Sequence, residues 1–113
     1  HTGENLTQSY TIGTSNFNDV RFPGDTRNCA KCHTGTSYTL PLPTGISVVQ
    51  APRDYFSPQG PGTASCLGCH DNQDAAAHAY LNTTNFGGTA VAEACATCHG
   101  TGKDWAVDKV HAR

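Results

Sequence analysis

The sequence contains no methionine and begins on His1. A chain without an initiating methionine is not a primary translation product, so we expect a processed chain or a part of a longer protein. No charged N-terminal region followed by an apolar stretch is present, so any export signal is expected to have been removed already. No apolar run reaches the roughly 18 residues that indicate a membrane-spanning helix. These absences exclude insertion in a membrane as the primary function.

Positive charge is also scarce. Seven Lys and Arg stand against nine Asp and Glu, and the formal net charge is -2. Proteins that bind nucleic acid present a strongly basic face, and this composition provides none. Nucleic-acid binding is therefore excluded as well.

Large aliphatic side chains are few. Leu, Ile, Val and Phe make up 17 of the 113 residues, below the roughly one-fifth at which a composition tends toward disorder. The low net charge argues against disorder, so composition alone does not decide between the two states. We expect something other than aliphatic side chains to fill the interior.

Cysteine is what the chain does have, and every cysteine belongs to a C-x-x-C-H motif. This motif is typical of c-type haem attachment, in which two thiols bond to the porphyrin and the adjacent histidine ligates the iron. The motifs are Cys29-Ala30-Lys31-Cys32-His33, Cys66-Leu67-Gly68-Cys69-His70 and Cys95-Ala96-Thr97-Cys98-His99. The sequence therefore predicts three haem c groups, which would also serve as the core.

Three other interpretations of the cysteines explain less. A disulfide framework gives no reason for a histidine after every second cysteine. Zinc closes a tetrahedral site with two C-x-x-C pairs and would leave the third pair stranded. Thioredoxin-like redox motifs need a strand and helix context that this Gly-, Thr- and Asn-rich chain does not offer.

Three histidines lie outside the motifs: His1, His78 and His111. Because methionine is absent, histidine is the natural sixth ligand, and bis-histidine ligation leaves no open position for a substrate. His78 ends a helix-like stretch that begins with Asp71 as a plausible N-cap. His111 shares one helical face with Val107 and Val110 at i, i+3 and i+4 spacing. Each spare histidine is a candidate distal ligand.

Sequence spacing does not fix which spare histidine serves which haem. Our expectation is His1 with the first haem and His111 with the third. A histidine at a chain end can also reach a haem in a neighbouring copy, and ligation by His1 would then drive self-assembly into a filament.

The expected fold is a small multihaem cytochrome c, a single domain over residues 1–113. It consists mostly of loops with a few short α-helices wrapped around a stacked haem array, with little or no β structure. Residues 9–12 and 20–22 favour one small hairpin in the first 28 residues. Five prolines between the first and second motifs exclude a long helix there. From residue 65 the order is motif, helix, Gly-Gly loop, motif, helix.

Four stretches together carry a family resemblance: HTGENL, VRFPGDTRNCAKCH, SCLGCHDNQDAAAHAYLNTTNFGG and EACATCHGTGKDWAVDKVHAR. They resemble the C-terminal haem region of the outer-surface decahaem cytochromes of the OmcA/MtrC type, over nearly the whole chain. The sequence departs from that family in having three motifs instead of ten and in lacking the flanking β-barrel domains.

The resemblance implies an electron conduit on the outer cell surface or in the extracellular space of a bacterium, with the periplasm as the alternative. Its partners would be other cytochromes, minerals or electrodes. The resemblance also implies haem attachment by the six cysteines, with His33, His70 and His99 as proximal ligands and His1, His78 and His111 as distal ligands. We expect an electron carrier, not an enzyme. The alternatives are a multihaem reductase with one open haem, and a terminal module that docks on a larger cytochrome complex.

Overall fold

The structure is a computed structural model that describes residues 3–50, 55–87 and 90–112. These ranges contain four short α-helices and two small antiparallel sheets of two strands each. The helices are α1 (Pro61–Leu67), α2 (Gln73–Leu81), α3 (Ala96–His99) and α4 (Val107–Val110). The strands are β1 (Thr11–Ile12), β2 (Ser15–Asn16), β3 (Thr83–Asn85) and β4 (Val91–Glu93). Short 3-10 helices lie at Phe17–Asp19 and Cys29–Lys31.

β structure is minor but not absent, which corrects the sequence-based expectation of little or none. The expected N-terminal hairpin is present, but its strands are β1 and β2 and not residues 9–12 and 20–22. A two-residue turn at residues 13–14 joins β1 directly to β2. Val20, which was expected to lie in the second strand, accepts hydrogen bonds at its carbonyl from the amides of Gly3 and Glu4. The second hairpin, β3–β4, lies where the sequence favoured only a loop.

The segment between the first and second motifs forms no helix among its described residues before Pro61, as its prolines predict. An isolated bridge ties it to the rest of the chain, Leu40 to Gly100, and a second bridge, Val49 to Gln59, lies within the segment itself. The amide of Thr101 donates to the carbonyl of Leu40 at 3.0 Å. This hydrogen bond joins the chain that follows the first motif to the chain that follows the third.

Few apolar side chains are buried. In the described ranges the buried hydrophobic residues are Leu40, Leu67, Ala76, Ala79 and Ala106. Three of these five are alanines, so they bury little apolar area. Leu67, Ala76 and Ala79 pack α1 against α2, with Tyr55 and Phe56 at the edge. This cluster is too small to account for a folded domain by hydrophobic burial alone.

Asn72 caps α2, because its side chain accepts a hydrogen bond from the amide of Ala75 at 2.8 Å. The sequence-based choice of Asp71 as the N-cap was wrong. Asp71 is 1% exposed, and its carboxylate accepts from the amide and hydroxyl of Thr7 and from the amide of Gln8, at 2.7 to 2.9 Å. Asp71 thus holds the N-terminal segment against the second motif.

Glu93 connects the third motif to the second. Its carboxylate accepts hydrogen bonds from the amides of Gly62 and Thr63 at 2.9 and 2.6 Å. These amides lie in the first turn of α1, where helix amides have no partner within the helix and a negative charge is favourable. Gly60 is the N-cap of α1, and a Cβ atom there would collide with the Glu93 carboxyl group. A glycine at position 60 therefore makes room for this distant cap.

We expect Asp71→Asn to lower the free energy of unfolding by about 1–3 kcal/mol, because the new amide group would face the Gln8 N–H donor in a buried site. Denaturation of the haem-loaded protein in urea, followed by far-ultraviolet circular dichroism, measures this. The control is Asp104→Asn, since the Asp104 side chain is 94% exposed and its ion pair with Lys109 contributes little. Equal stability of the two variants would contradict the role assigned to Asp71.

Glu93→Ala should also destabilise the protein by about 1–3 kcal/mol, because two amides of α1 lose their acceptor where water has little access. Glu4→Ala is the matched control, since it removes a carboxylate whose ion pair with Arg21 lies at the surface. Amide hydrogen exchange should be faster in α1 for Glu93→Ala and unchanged there for Glu4→Ala. Unchanged protection of α1 in both variants would contradict the cap.

Candidate functional site

The three C-x-x-C-H motifs adopt the same local backbone. In each, the amide of the histidine donates to the carbonyl of the first cysteine, at 2.9, 2.8 and 2.9 Å in chain order. The amide of the second cysteine donates to the same carbonyl at 3.1 to 3.3 Å. One helical turn brings residues at i, i+3 and i+4 to one face. Each motif therefore presents two thiols and one imidazole together.

Different elements carry this turn in the three motifs. The first motif begins with the 3-10 helix at Cys29–Lys31. The second starts in the last turn of α1, with Gly68 as the C-cap. In the third, α3 contains the motif from Ala96 to His99, with Cys95 as its N-cap. The shared turn is thus a property of the motif and not of one type of helix.

All six cysteines are free, and Cys32, Cys66, Cys69 and Cys98 are exposed while Cys29 and Cys95 are partly buried. No disulfide framework is present. Although part of the Cys66 residue is exposed, burial around its thiol raises the pKa to about 11, with the thiol of Cys95, the carboxylate of Glu93 and the thiol of Cys69 adding to the effect. Burial, and then Glu93, also raises the pKa of the Cys95 thiol. The second and third motifs therefore lie close together.

Two pairs of imidazole rings lie close to each other, one pair tilted and the other perpendicular. The ring of His70 lies opposite the ring of His111, with centroids 6.1 Å apart and an interplanar angle of 59°. The ring of His78 lies opposite that of His99, also at 6.1 Å, with an angle of 89°. Each pair joins a motif histidine to one of the spare histidines.

The backbone orients two of these rings. His99 Nδ1 lies 3.0 Å from the carbonyl oxygen of Trp105, and His111 Nδ1 lies 2.8 Å from that of Val107. Because a carbonyl oxygen only accepts, Nδ1–H is the donor in both cases and Nε2 is left with a lone pair. A histidine that ligates a metal typically donates its other N–H in this way.

The separation of the rings fits a shared iron. A metal–imidazole bond is about 2 Å long, and the ligating nitrogen lies about 1 Å from its ring centroid, so two imidazoles on opposite sides of one metal have centroids about 6 Å apart. Ordinary ring contacts also occur at about 4.5–7 Å. What the two pairs share is their composition, because each joins a motif histidine to a spare one.

The donors occur in pairs and not in larger clusters. Across the described ranges, no three or more His, Cys, Asp or Glu side chains are placed to hold a metal ion by themselves. Large hydrophobic side chains are exposed nearby in sequence, among them Tyr80 at 60% and Trp105 at 65%. Opposed imidazoles, exposed thiols and uncovered apolar side chains fit a flat, apolar group that carries its own metal, which describes haem.

His33 lies in a different setting. Ser37 Oγ is 3.5 Å from His33 Nδ1, and the ring of Tyr38 lies 6.2 Å from that of His33. His1, its expected partner, lies outside the described residues. The first predicted pair therefore remains a prediction.

The expected pairing of His111 with the third motif differs from what the structure has, since the His111 ring lies opposite His70. The sequence analysis also missed Asp71 and Glu93 as residues that position the motifs. The available signals were the positions of the two carboxylates: Asp71 comes directly after the second motif, and Glu93 lies two residues before the third. Neither spacing indicates a partner that is distant in sequence.

A model of the family described as outer membrane cytochrome MtrC/MtrF-like, domains II/IV, matches residues 1–112. The class of the protein is thus a cytochrome, an electron-transfer protein for which haem c is the implied cofactor. The chain belongs to the MtrC/MtrF-like family of outer-membrane cytochromes, which confirms the resemblance seen in the sequence. No curated protein and no solved structure matches the chain. Within the described residues, none of the helices is long and apolar enough to cross a membrane.

Proposed function

We propose that this chain is a trihaem electron-transfer domain in which each haem c has two histidine ligands. The observation that carries the proposal is the presence of two pairs of neighbouring imidazoles, His70 with His111 and His78 with His99, each with ring centroids 6.1 Å apart. Each pair joins a motif histidine to a spare histidine, as ligation of a haem iron by two histidines would require. A third unit with the same backbone turn lies at Cys29 to His33.

The residues have distinct tasks. Bound haem c supplies a one-electron carrier. The six cysteines would hold its porphyrin covalently: Cys29, Cys32, Cys66, Cys69, Cys95 and Cys98. His33, His70 and His99 would ligate iron from the proximal side, and His1, His78 and His111 from the distal side. With two histidine ligands on each iron, no position would be left for a substrate, which would favour an electron carrier over a reductase.

The carbonyl groups of Trp105 and Val107 fix the orientation of the ligands. Each accepts the Nδ1–H of a histidine, His99 or His111, so the imidazole cannot rotate without losing a hydrogen bond. Such a bond makes the imidazole a more basic ligand and influences the reduction potential. Through these two carbonyl groups the backbone would control both the orientation of the ligands and the reduction potential of bound haem.

The family to which the chain belongs supports a location at the outer cell surface. We place the domain in extracellular electron transfer, with minerals, electrodes or other cytochromes as acceptors. Copies that join end to end would form a filament if His1 ligates a haem in the neighbouring copy. Docking as a terminal module of a larger cytochrome complex is the alternative assembly, and co-purification with such a complex would support it.

We expect electron paramagnetic resonance of the oxidised protein to show three low-spin haems and no high-spin signal, because six-coordinate bis-histidine iron is low-spin. Intact-mass measurement should show three covalent haems per chain, and carbon monoxide should not bind the reduced protein. A stoichiometric high-spin haem that binds carbon monoxide at every protein concentration would overturn the carrier and favour the reductase.

The first haem has its own test. If His1 of the same chain is the sixth ligand, the low-spin spectrum is independent of protein concentration. A high-spin signal that grows on dilution would instead show that the ligand comes from a neighbouring copy. His1→Ala should give one high-spin haem at all concentrations, and Lys109→Ala, which leaves every candidate ligand in place, should give none.

A further inference from the structure

We infer that the second and third haems are cross-ligated: His111 ligates the iron held by the second motif, and His78 ligates the iron held by the third. This inference rests on the proposed function and specifies its pairs of ligands. Each of these haems would then take its proximal histidine from its own motif and its distal histidine from the segment that follows the other motif.

Chain proximity alone would favour another arrangement. His78 follows His70 after eight residues and His111 follows His99 after twelve, so the simplest assignment gives each haem the next spare histidine along the chain. The structure instead brings together the rings of His70 and His111 and the rings of His78 and His99.

Helix α2 turns His78 away from its own motif. Ala76 and Ala79 are the buried residues of α2 and pack against Leu67 of α1, which carries the second motif. His78 lies between them in sequence and is exposed. The face of α2 that contacts the second motif is therefore apolar, and His78 points to the third motif.

The chain after the third motif folds back in a matching way. His99, the histidine of the third motif, donates its Nδ1–H to the carbonyl oxygen of Trp105. The segment after the third motif therefore contacts His99 from the Nδ1 side of the ring. Further along, the Val107 carbonyl fixes Nδ1 of His111. Nε2 of His111 is thus left with its lone pair, and the centroid of this ring lies 6.1 Å from that of His70.

The surrounding contacts hold the two motifs side by side. Hairpin β3–β4 links the end of α2 to the start of the third motif, with Thr83 paired to Glu93. Glu93 bonds to the first turn of α1. Because the second and third motifs lie side by side, the segment after each motif can supply the distal histidine of the other motif's haem.

Cross-ligation makes the two haem sites mutually dependent. Neither has both ligands unless the segment that contains the other motif is folded. We therefore expect the second and third haems to lose their distal ligands together when either segment is disrupted, whereas the first haem is independent of this exchange.

The experiment combines distal-ligand variants with attachment-site variants. His78→Ala should produce one high-spin haem per chain in the otherwise intact protein. The same substitution in a C95A/C98A background, which lacks the third haem, should add no further high-spin haem, because the iron that it served is gone. His111→Ala should behave conversely and be silent in a C66A/C69A background.

The spin-state comparison is meaningful only if the histidine variants are folded. Added imidazole should restore the low-spin spectrum of His78→Ala and His111→Ala. As a second variant, His78→Met keeps a sixth ligand and should raise the reduction potential of one haem, a shift that disappears in C95A/C98A. His1→Ala is the control whose effect neither background should remove.

The opposite pattern overturns the inference. If His78→Ala is silent in C66A/C69A and still adds a high-spin haem in C95A/C98A, the ligands follow chain order. That result would leave the proposed carrier intact. A high-spin second or third haem in the unmodified protein would instead overturn the proposed function itself.

Discussion

The hydrogen bond from the histidine amide to the carbonyl of the first cysteine is the interaction on which the rest of the site depends. It occurs in all three motifs with nearly the same length. Because it closes one helical turn, two thiols and an imidazole share a face wherever the motif occurs, on a 3-10 helix or an α-helix. The chain thus repeats one small unit and leaves the rest of its sequence to arrange the units relative to each other.

Two carboxylates contribute much of that arrangement. In a protein with a large apolar core, burial of aliphatic groups would fix the relative positions of helices, at about 0.8 kcal/mol for each buried CH₂ group. Here the buried hydrophobic residues are few and mostly alanines. A hydrogen bond to a charged group contributes about 1.5–3 kcal/mol, so Asp71 and Glu93 are comparable to several buried methylene groups. Polar contacts between distant segments compensate for the scarcity of aliphatic side chains.

The sequence predicted the motifs, the class of protein, a helix that contains His78 and one before His111, because these features depend on local spacing. It did not predict which histidines lie close together. The pairing of His70 with His111 depends on how two hairpin-linked segments fold together, and sequence separation carries little information on that.

Asp71 is a second residue whose contacts local sequence does not predict. Its position before a helix favours an N-cap, but a buried contact with Thr7 and Gln8 takes precedence. The N-terminal hairpin was placed in the right region with the wrong second strand, since the turn at residues 13–14 closes earlier than the β-branched pattern suggests.

The exposed turn at Thr44 and Gly45 has a consequence for how the family can vary. Gly45 has a φ of 87°, and in the described part of the chain no atom beyond its two chain neighbours lies within 4 Å of where its side chain would begin. Thr44 and Gly45 are both exposed. Isolated bridges at Leu40 and Val49 hold the chain on either side of this turn. Since the entropy of closing a loop grows slowly with its length, an insertion at this turn would change the first and second motifs' separation along the chain without changing their positions in space. Evolution, or a protein engineer who needs an attachment point for a tag or a further domain, can lengthen the protein there at little cost in stability.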